Sequence, residues 1–249
     1  MIKLTRPPKP TELTPEKQAE LTEIFKNNKE KAVWKQKFIA EALFEMSYGK
    51  CCFSEMRLNQ EGKYMEVEHF YHKSDYPDEV VEWENLLPCS RFCNGKKGTH
   101  DTKKEPIINP VEDNPKEHLY LKNYRFKGKT ELGKLTIDIV GLNNRQHLVT
   151  ARFEIGDKTQ ERLADLLEDV QTKDLTRTQT KNRVLRQLEN LMREAIPEAE
   201  YSATVATVIL NDENYHKVKK ILKTNNLWND ELTNLETQMQ FCELSESRL

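Results

Sequence analysis

The sequence predicts an α+β protein, mostly α-helical, with a short strand–strand–loop–helix finger between an N-terminal helical pair and a C-terminal helical domain. Three observations predict it. Apolar residues recur at helical spacing within 15–47 and again from about 157 onward. Residues 52–69 are strand-like on either side of a glycine turn. The residues suited to chemistry are confined to Tyr48–Lys104. These features divide the 249-residue chain into segments 1–48, 49–110, 111–156 and 157–249, long enough in total for a real core.

Residues 1–13 carry Pro7, Pro8 and Pro10 and should be extended. Thr14 before Pro15 reads as an N-cap with proline at the first helical position, opening a helix over 15–28. A second helix, 31–47, places Val33, Phe38, Ile39, Ala42, Leu43 and Met46 along one face, and Gly49 ends it. Cys52–Leu58 and Tyr64–His69 should form a hairpin turned at Gly62. A charged loop follows over 71–82. Asn85-Leu86-Leu87 then re-enters the core, and Cys93-Asn94-Gly95-Lys96-Lys97 begins a short helix. The prolines of 105–125 mark a boundary or wrap-around segment. Residues 134–140, KLTIDIV, alternate and predict a strand. Helical spacing covers 159–170, 178–195, 199–211, 213–225 and 229–241, with Asp212 and Asn229 as N-caps and Pro197 as a separator.

With 37% hydrophobic and 32% charged residues, the surface is heavily solvated but the chain is not of disordered composition. A net charge of −2 excludes a globally basic nucleic-acid binder, so any such contact must come from a local patch or a partner. No apolar run reaches about 18 residues, so no membrane span is expected. MIKLTRPPKP lacks the apolar core of a secretory signal, and a cytoplasmic location is expected. Four of the five cysteines, Cys51, Cys52, Cys89 and Cys93, flank the finger. Disulfides explain them poorly in a reducing compartment, so a present or former metal clamp is the more natural reading.

Cleaving a phosphodiester needs a base for the attacking water, a divalent metal to neutralise the phosphate, and nearby cations. His69 is the candidate base, because imidazole titrates near neutrality. Glu68 and Asn94 offer oxygen ligands suited to Mg²⁺ or Mn²⁺. Asn85 sits where an amide can bond backbone groups and fix the loop over the site. Lys97, one helical turn beyond Asn94, should face the same phosphate. Arg91, Lys96, Lys97 and Lys103 make a local DNA-binding footprint, with Asp101 the only acid between 91 and 104. Each residue alone has a plainer reading: His69 as a structural strand histidine, Asn94 as a cap. The ordered set is what favours catalysis. His72 reads as a solvent- or phosphate-facing residue, His100 and Asp101 as a surface loop, and Tyr201 and Trp228 as core.

The set Glu68-His69, Asn85, Asn94 with Lys97 resembles the HNH endonucleases, whose ββα-metal finger is the fold expected above. The segments GKCCFSE, VEHFYHKS, WENLLPCSRFCNGKKG, EPIINPVEDNPKEHL and LNNRQHLVTAR resemble the retron- and Septu-associated, PtuB-like subfamily over roughly residues 1–155. The resemblance implies Glu68 and Asn94 as metal ligands, His69 as base and Asn85 as loop brace. It implies a nuclease subunit that works with a PtuA-like ATPase in antiphage defence, hence a hetero-oligomer. The sequence departs from the two CxxC zinc knuckles of many HNH proteins: Ser54 and Ser90 stand where thiolates would be. A structural zinc is therefore not expected, and the cysteines read as small buried hydrophobes. The alternative is a catalytically inactive finger that binds nucleic acid or protein and serves as an assembly subunit of the ATPase complex.

Overall fold

The computed structural model describes residues 1–59 and 64–246. It is α+β and mostly helical, with two small two-stranded sheets among the described residues. Two compact units are present. Of the described residues, those of 3–118 and 128–142 make the first, and those of 119–127 and 143–246 make the second. No helix among the described residues is long and apolar enough to cross a membrane.

In the first unit, Thr14 caps α1 (Pro15–Asn27) by accepting from the Lys17 N–H, and the helix buries Leu21 and Phe25. The second helix is shorter than its apolar pattern suggests. Residues 31–36 form turns, with the Gln36 amide donating to the Val33 carbonyl, and α2 (Lys37–Met46) begins only at Lys37. The turn buries Val33 and brings Trp34 toward the site described below. Gly49 closes α2 at φ +68°, where an added Cβ would also meet the Phe44 ring at 2.7 Å.

The expected strand Cys52–Leu58 is not a strand. The chain folds back within this stretch: the Cys51 N–H bonds the Met56 carbonyl, the Glu55 N–H bonds the Cys51 carbonyl, and Lys50 bridges Arg57. Residues 51–56 are all buried, and Glu55 takes φ 63°. A strand cannot bury six consecutive residues against one core face, so a buried turn takes its place. The expected turn at Gly62 falls outside the described residues. The hairpin instead pairs β1 (Met65–His69) antiparallel with β2 (Leu86–Ser90), in the register Met65↔Ser90 and His69↔Leu86. Ser90 then caps α3 (Arg91–Lys97) by accepting from the Cys93 N–H at 3.3 Å. The observed order is therefore strand, long loop, strand, helix.

An N-terminal strap holds the end of that loop. Arg6 donates to the carbonyls of Trp83 (2.7 Å), Leu86 (2.9 Å) and Glu84 (3.0 Å), and Trp83, 1% exposed, donates its indole N–H to the Pro7 carbonyl. After α4 (Pro115–His118), the expected strand 134–140 is helical: α5 (Glu131–Ile139) is capped by Thr130. Gly133, Thr136, Ile137 and Val140 are buried, a spacing of 3, 4 and 7 that outweighs the apparent alternation.

The second unit opens with a hairpin absent from the sequence reading, β3 (Leu119–Lys122) and β4 (Arg125–Gly128). Asn123 and Tyr124 both take positive φ, as a two-residue hairpin turn requires. A π-helical turn (Arg145–Val149) and five α-helices follow among the described residues: α6 (Thr150–Thr172), α7 (Thr178–Arg193), α8 (Ser202–Asn211), α9 (Glu213–Thr224) and α10 (Asp230–Cys242). Asp212 and Asn229 cap α9 and α10 through the Asn214 and Leu232 N–H groups. Helix α6 packs on α8 and α9, and α10 packs on α8. Tyr201 is buried, but Trp228 is only half-buried, in the loop before α10, and bonds Thr233.

Replacing Trp83 by alanine should remove both the ring's packing and the tie to Pro7. Urea denaturation of the full chain should show a loss of about 3–5 kcal/mol. A loss below about 1 kcal/mol would mean that the strap does not hold this loop.

Candidate active site

Strand β1 presents Glu66 and Glu68 on one face, because side chains two apart in a strand point the same way. That face meets α3, whose Asn94 and Lys97 are one turn apart. The Asn94 amide donates to Glu66 Oε2 at 2.7 Å. Lys97 Nζ lies 2.6 Å from Glu68 Oε1 and also donates to the His69 carbonyl at 2.9 Å. Burial pushes the Glu68 carboxyl up to about 7, against the opposing pull of Lys97.

His69 is 4% exposed and turns to the other side of the strand end. Its Nε2 lies 2.9 Å from the Val80 carbonyl oxygen. A carbonyl can only accept, so Nε2 carries the hydrogen and Nδ1 keeps a free lone pair in the neutral ring. Trp34 meets the imidazole edge to face, with centroids 4.8 Å apart. Burial, with the positive charge of Lys73, lowers His69 to about 3, so the ring is neutral at physiological pH.

The loop between the strands is tied by Asn85. Its side-chain oxygen accepts from the Tyr71 N–H at 2.6 Å, and its amide donates to the carbonyls of Tyr71 (3.1 Å) and Glu79 (3.0 Å). Glu66, Glu68, His69 and Asn94 all line one cavity of about 620 Å³. A larger opening of about 970 Å³ lies in the second unit, lined by amides and acids such as Asn123, Gln160, Asn211 and Asp212, without a histidine or lysine. The chemistry therefore favours the smaller one.

The chain is 47% identical over 234 residues to the Septu protein PtuB of Bacillus thuringiensis, a match covering 93% of this chain and 90% of that one. The chain belongs to the Septu PtuB family. A second relative, the Septu protein PtuB of Bacillus mycoides (strain KBAB4), is 25% identical over 197 residues, 66% of each chain. No family model matches.

In this PtuB-family chain, Glu68, His69 and Asn94 reach a common cavity, while the expected cations are distributed differently. Lys97 does not face outward: its side chain is fully buried as the counter-ion of Glu68, 2.6 Å from that carboxyl. Arg91 and Lys96 are exposed on α3 and do not line the cavity. Lys103 is also outside it, ion-paired with Glu79 and set over the rings of Tyr71 (4.6 Å) and Tyr76 (4.1 Å). His72 lines the cavity and bonds Asp75. His100 bonds the Glu105 carbonyl, and Asp101 accepts from Tyr76. Glu66, Trp34, Lys35, Lys37 and Lys73 were missed. Period-two spacing from Glu68 could have found Glu66; nothing local marks Trp34.

The four finger cysteines gather around Cys51, whose sulfur is 3.8 Å from that of Cys89 and also bonds Cys52, Cys93 and Ser54. All are buried and free. Among the described residues, no group of three or more His, Cys, Asp or Glu side chains is arranged to hold a metal ion.

Replacing Asn85 by alanine strips partners from three backbone groups. Stability should fall by about 2–3 kcal/mol, and the Tyr71 amide should exchange with solvent faster. Unchanged exchange at Tyr71 would show that Asn85 does not brace the loop.

Proposed function

We propose that this chain is a metal-dependent HNH endonuclease that hydrolyses DNA phosphodiester bonds. In this reading it is the nuclease subunit of an antiphage defence system, acting with a PtuA-like ATPase. The observation that carries the proposal is the shared cavity: a neutral imidazole with a bare Nδ1 opens on the same space as two carboxylates and an amide.

The donor set fits Mg²⁺ or Mn²⁺. Glu68 is a nearly buried carboxyl raised to about 7, so it gains from added positive charge, and the Asn94 oxygen is left over once its amide has donated to Glu66. Glu68 and Asn94 would hold the ion, with Glu66 beside them. An ion of this kind is commonly held by one or two carboxylates and the substrate's own phosphate, so a cage of three acids is not required. When bound, the ion neutralises the phosphate and stabilises the departing oxygen.

The chain's own residues do the rest. His69 Nδ1 accepts a proton from the attacking water as the new P–O bond forms. The imidazolium that results is stabilised by the Val80 carbonyl on Nε2 and by the anionic phosphate in front of it. One P–O ester bond breaks, and the leaving oxygen takes a proton from solvent. Asn85 holds the loop that carries Val80, and Lys97 holds the His69 backbone.

Incubated with supercoiled plasmid, Mg²⁺ or Mn²⁺ and the ATPase partner, wild type should cut, and His69→Ala should lose about 100-fold or more of the rate while keeping its fold. Equal cutting by both would remove His69 from the chemistry. The Lys97–Glu68 pair favours a second reading, a finger that binds without cutting. It predicts that phage protection survives His69→Ala. Metal affinity carries a pH signature. The Glu68 proton competes with the ion, so Mn²⁺ binding, followed by calorimetry, should strengthen as pH rises toward about 7 and level off above it. A pH-independent affinity would argue against Glu68 as a ligand.

A further inference from the structure

The basic residues most easily read as nucleic-acid contacts do not reach the cavity, but three others do. Lys35 belongs to the turn before α2, Lys37 is the first residue of α2, and Lys73 follows His69 in the loop; all three line the opening. Lys35 and Lys37 are exposed. Among the described residues, the ion pair of this set is Lys37 with Glu41 at 3.6 Å, which is solvent-exposed on both sides and holds Lys37 weakly. Lys73 has its ammonium 5.1 Å from the centre of the Trp34 ring. The same indole meets His69, so one side chain sets both the basic residue and the imidazole. The cavity is therefore two-sided: β1 supplies the acids Glu66 and Glu68, and Lys35 before α2, Lys37 at its start and Lys73 in the loop supply cations. Tyr64, 73% exposed, lines the opening and leaves most of its surface free to meet a base.

We propose that Lys35, Lys37 and Lys73 form the phosphate-binding wall that seats the DNA strand across the cavity, and that the exposed basic face of α3 does not. The separation of charge follows what cleavage of a polyanion needs. The acids sit where a cation is to be held, and the lysines sit beside them to contact phosphates flanking the cleaved one. The proposal rests on the nuclease reading for its substrate, but it concerns binding, which can be measured without cleavage.

The test uses the full chain carrying His69→Ala, so that the probe is not consumed, and a fluorescein-labelled DNA duplex read by anisotropy over a range of salt. Adding Lys35→Ala, Lys37→Ala and Lys73→Ala should weaken binding at least tenfold, and the slope of log affinity against log salt should fall by about one per lysine. Adding Arg91→Ala and Lys96→Ala instead should leave both unchanged. The Lys35/Lys37 double variant, altered only at exposed positions, should fall part of the way, and it keeps the test valid if the Lys73 change disturbs the loop. Parental affinity in the triple variant, a loss confined to the Arg91/Lys96 variant, or no DNA binding by the parent at low salt would each overturn the proposal. The nuclease reading fails on a different measurement, plasmid cleavage by His69→Ala equal to wild type, so the two failures are distinguishable.

Discussion

A single ammonium group closes the finger. Lys97 has no exposed side-chain surface, and a charge so placed is tolerated only when it is paired and hydrogen-bonded. It meets both conditions by reaching from the last turn of α3 to the Glu68 carboxylate and the His69 carbonyl, the last two residues of β1. Because β2 runs directly into α3, this contact makes a ring of strand, strand and helix. Cutting the ring by removing one partner leaves a buried charge uncompensated, which costs about 3–5 kcal/mol in comparable settings. The position of the imidazole thus depends on a residue that never touches it through its own side chain.

Fixing the end of β1 also settles how opposite faces of one strand serve one site. Glu66 and Glu68 point to α3, while His69 points to Trp34 and Val80. In the middle of a wide sheet those directions would never meet. Here the sheet has two strands and β1 stops at His69, so both faces open on the same cavity. The long loop is the other requirement. It brings Val80 back over the ring, and Asn85 closes it by bonding Tyr71 at its start and Glu79 near its end.

The sequence was most legible where one local rule decides the outcome. Thr14-Pro15, Asp212 and Asn229 announced helix starts through capping chemistry, and the helical tail followed from periodicity alone. His69, Asn85 and Asn94 could be singled out because their order is distinctive. Legibility failed where two periods fit the same letters. KLTIDIV alternates, yet its buried members also sit at helical spacing, and the Thr130 cap decides for the helix. The stretch 51–56 is buried throughout, which no alternation can express. The β3–β4 hairpin turns on Asn-Tyr, not Asn-Gly. Its strained Tyr124 is held by Gln160 and Arg152, from a helix some thirty residues away. Lys97 was misread for a related reason: spacing along a helix tells which face a lysine shares, but not whether a carboxylate waits there.

The charge distribution links the cavity to the question of a partner. The whole chain carries a net charge of −2, so it gains no long-range attraction to DNA. Three lysines at one opening act over about a Debye length, some 8–10 Å at physiological salt, and only once the strand is already near. Such a wall can orient a strand over His69 and hold one at low salt, but at physiological salt it captures one from solution only weakly. A nuclease built this way would depend on something else to deliver its substrate, and a DNA-engaging ATPase subunit would be one means of doing so. On the proposed nuclease reading, the weak global charge and the partnership would have a common physical origin: recruitment would fall to the assembly, and this chain would need only the charges that position the strand.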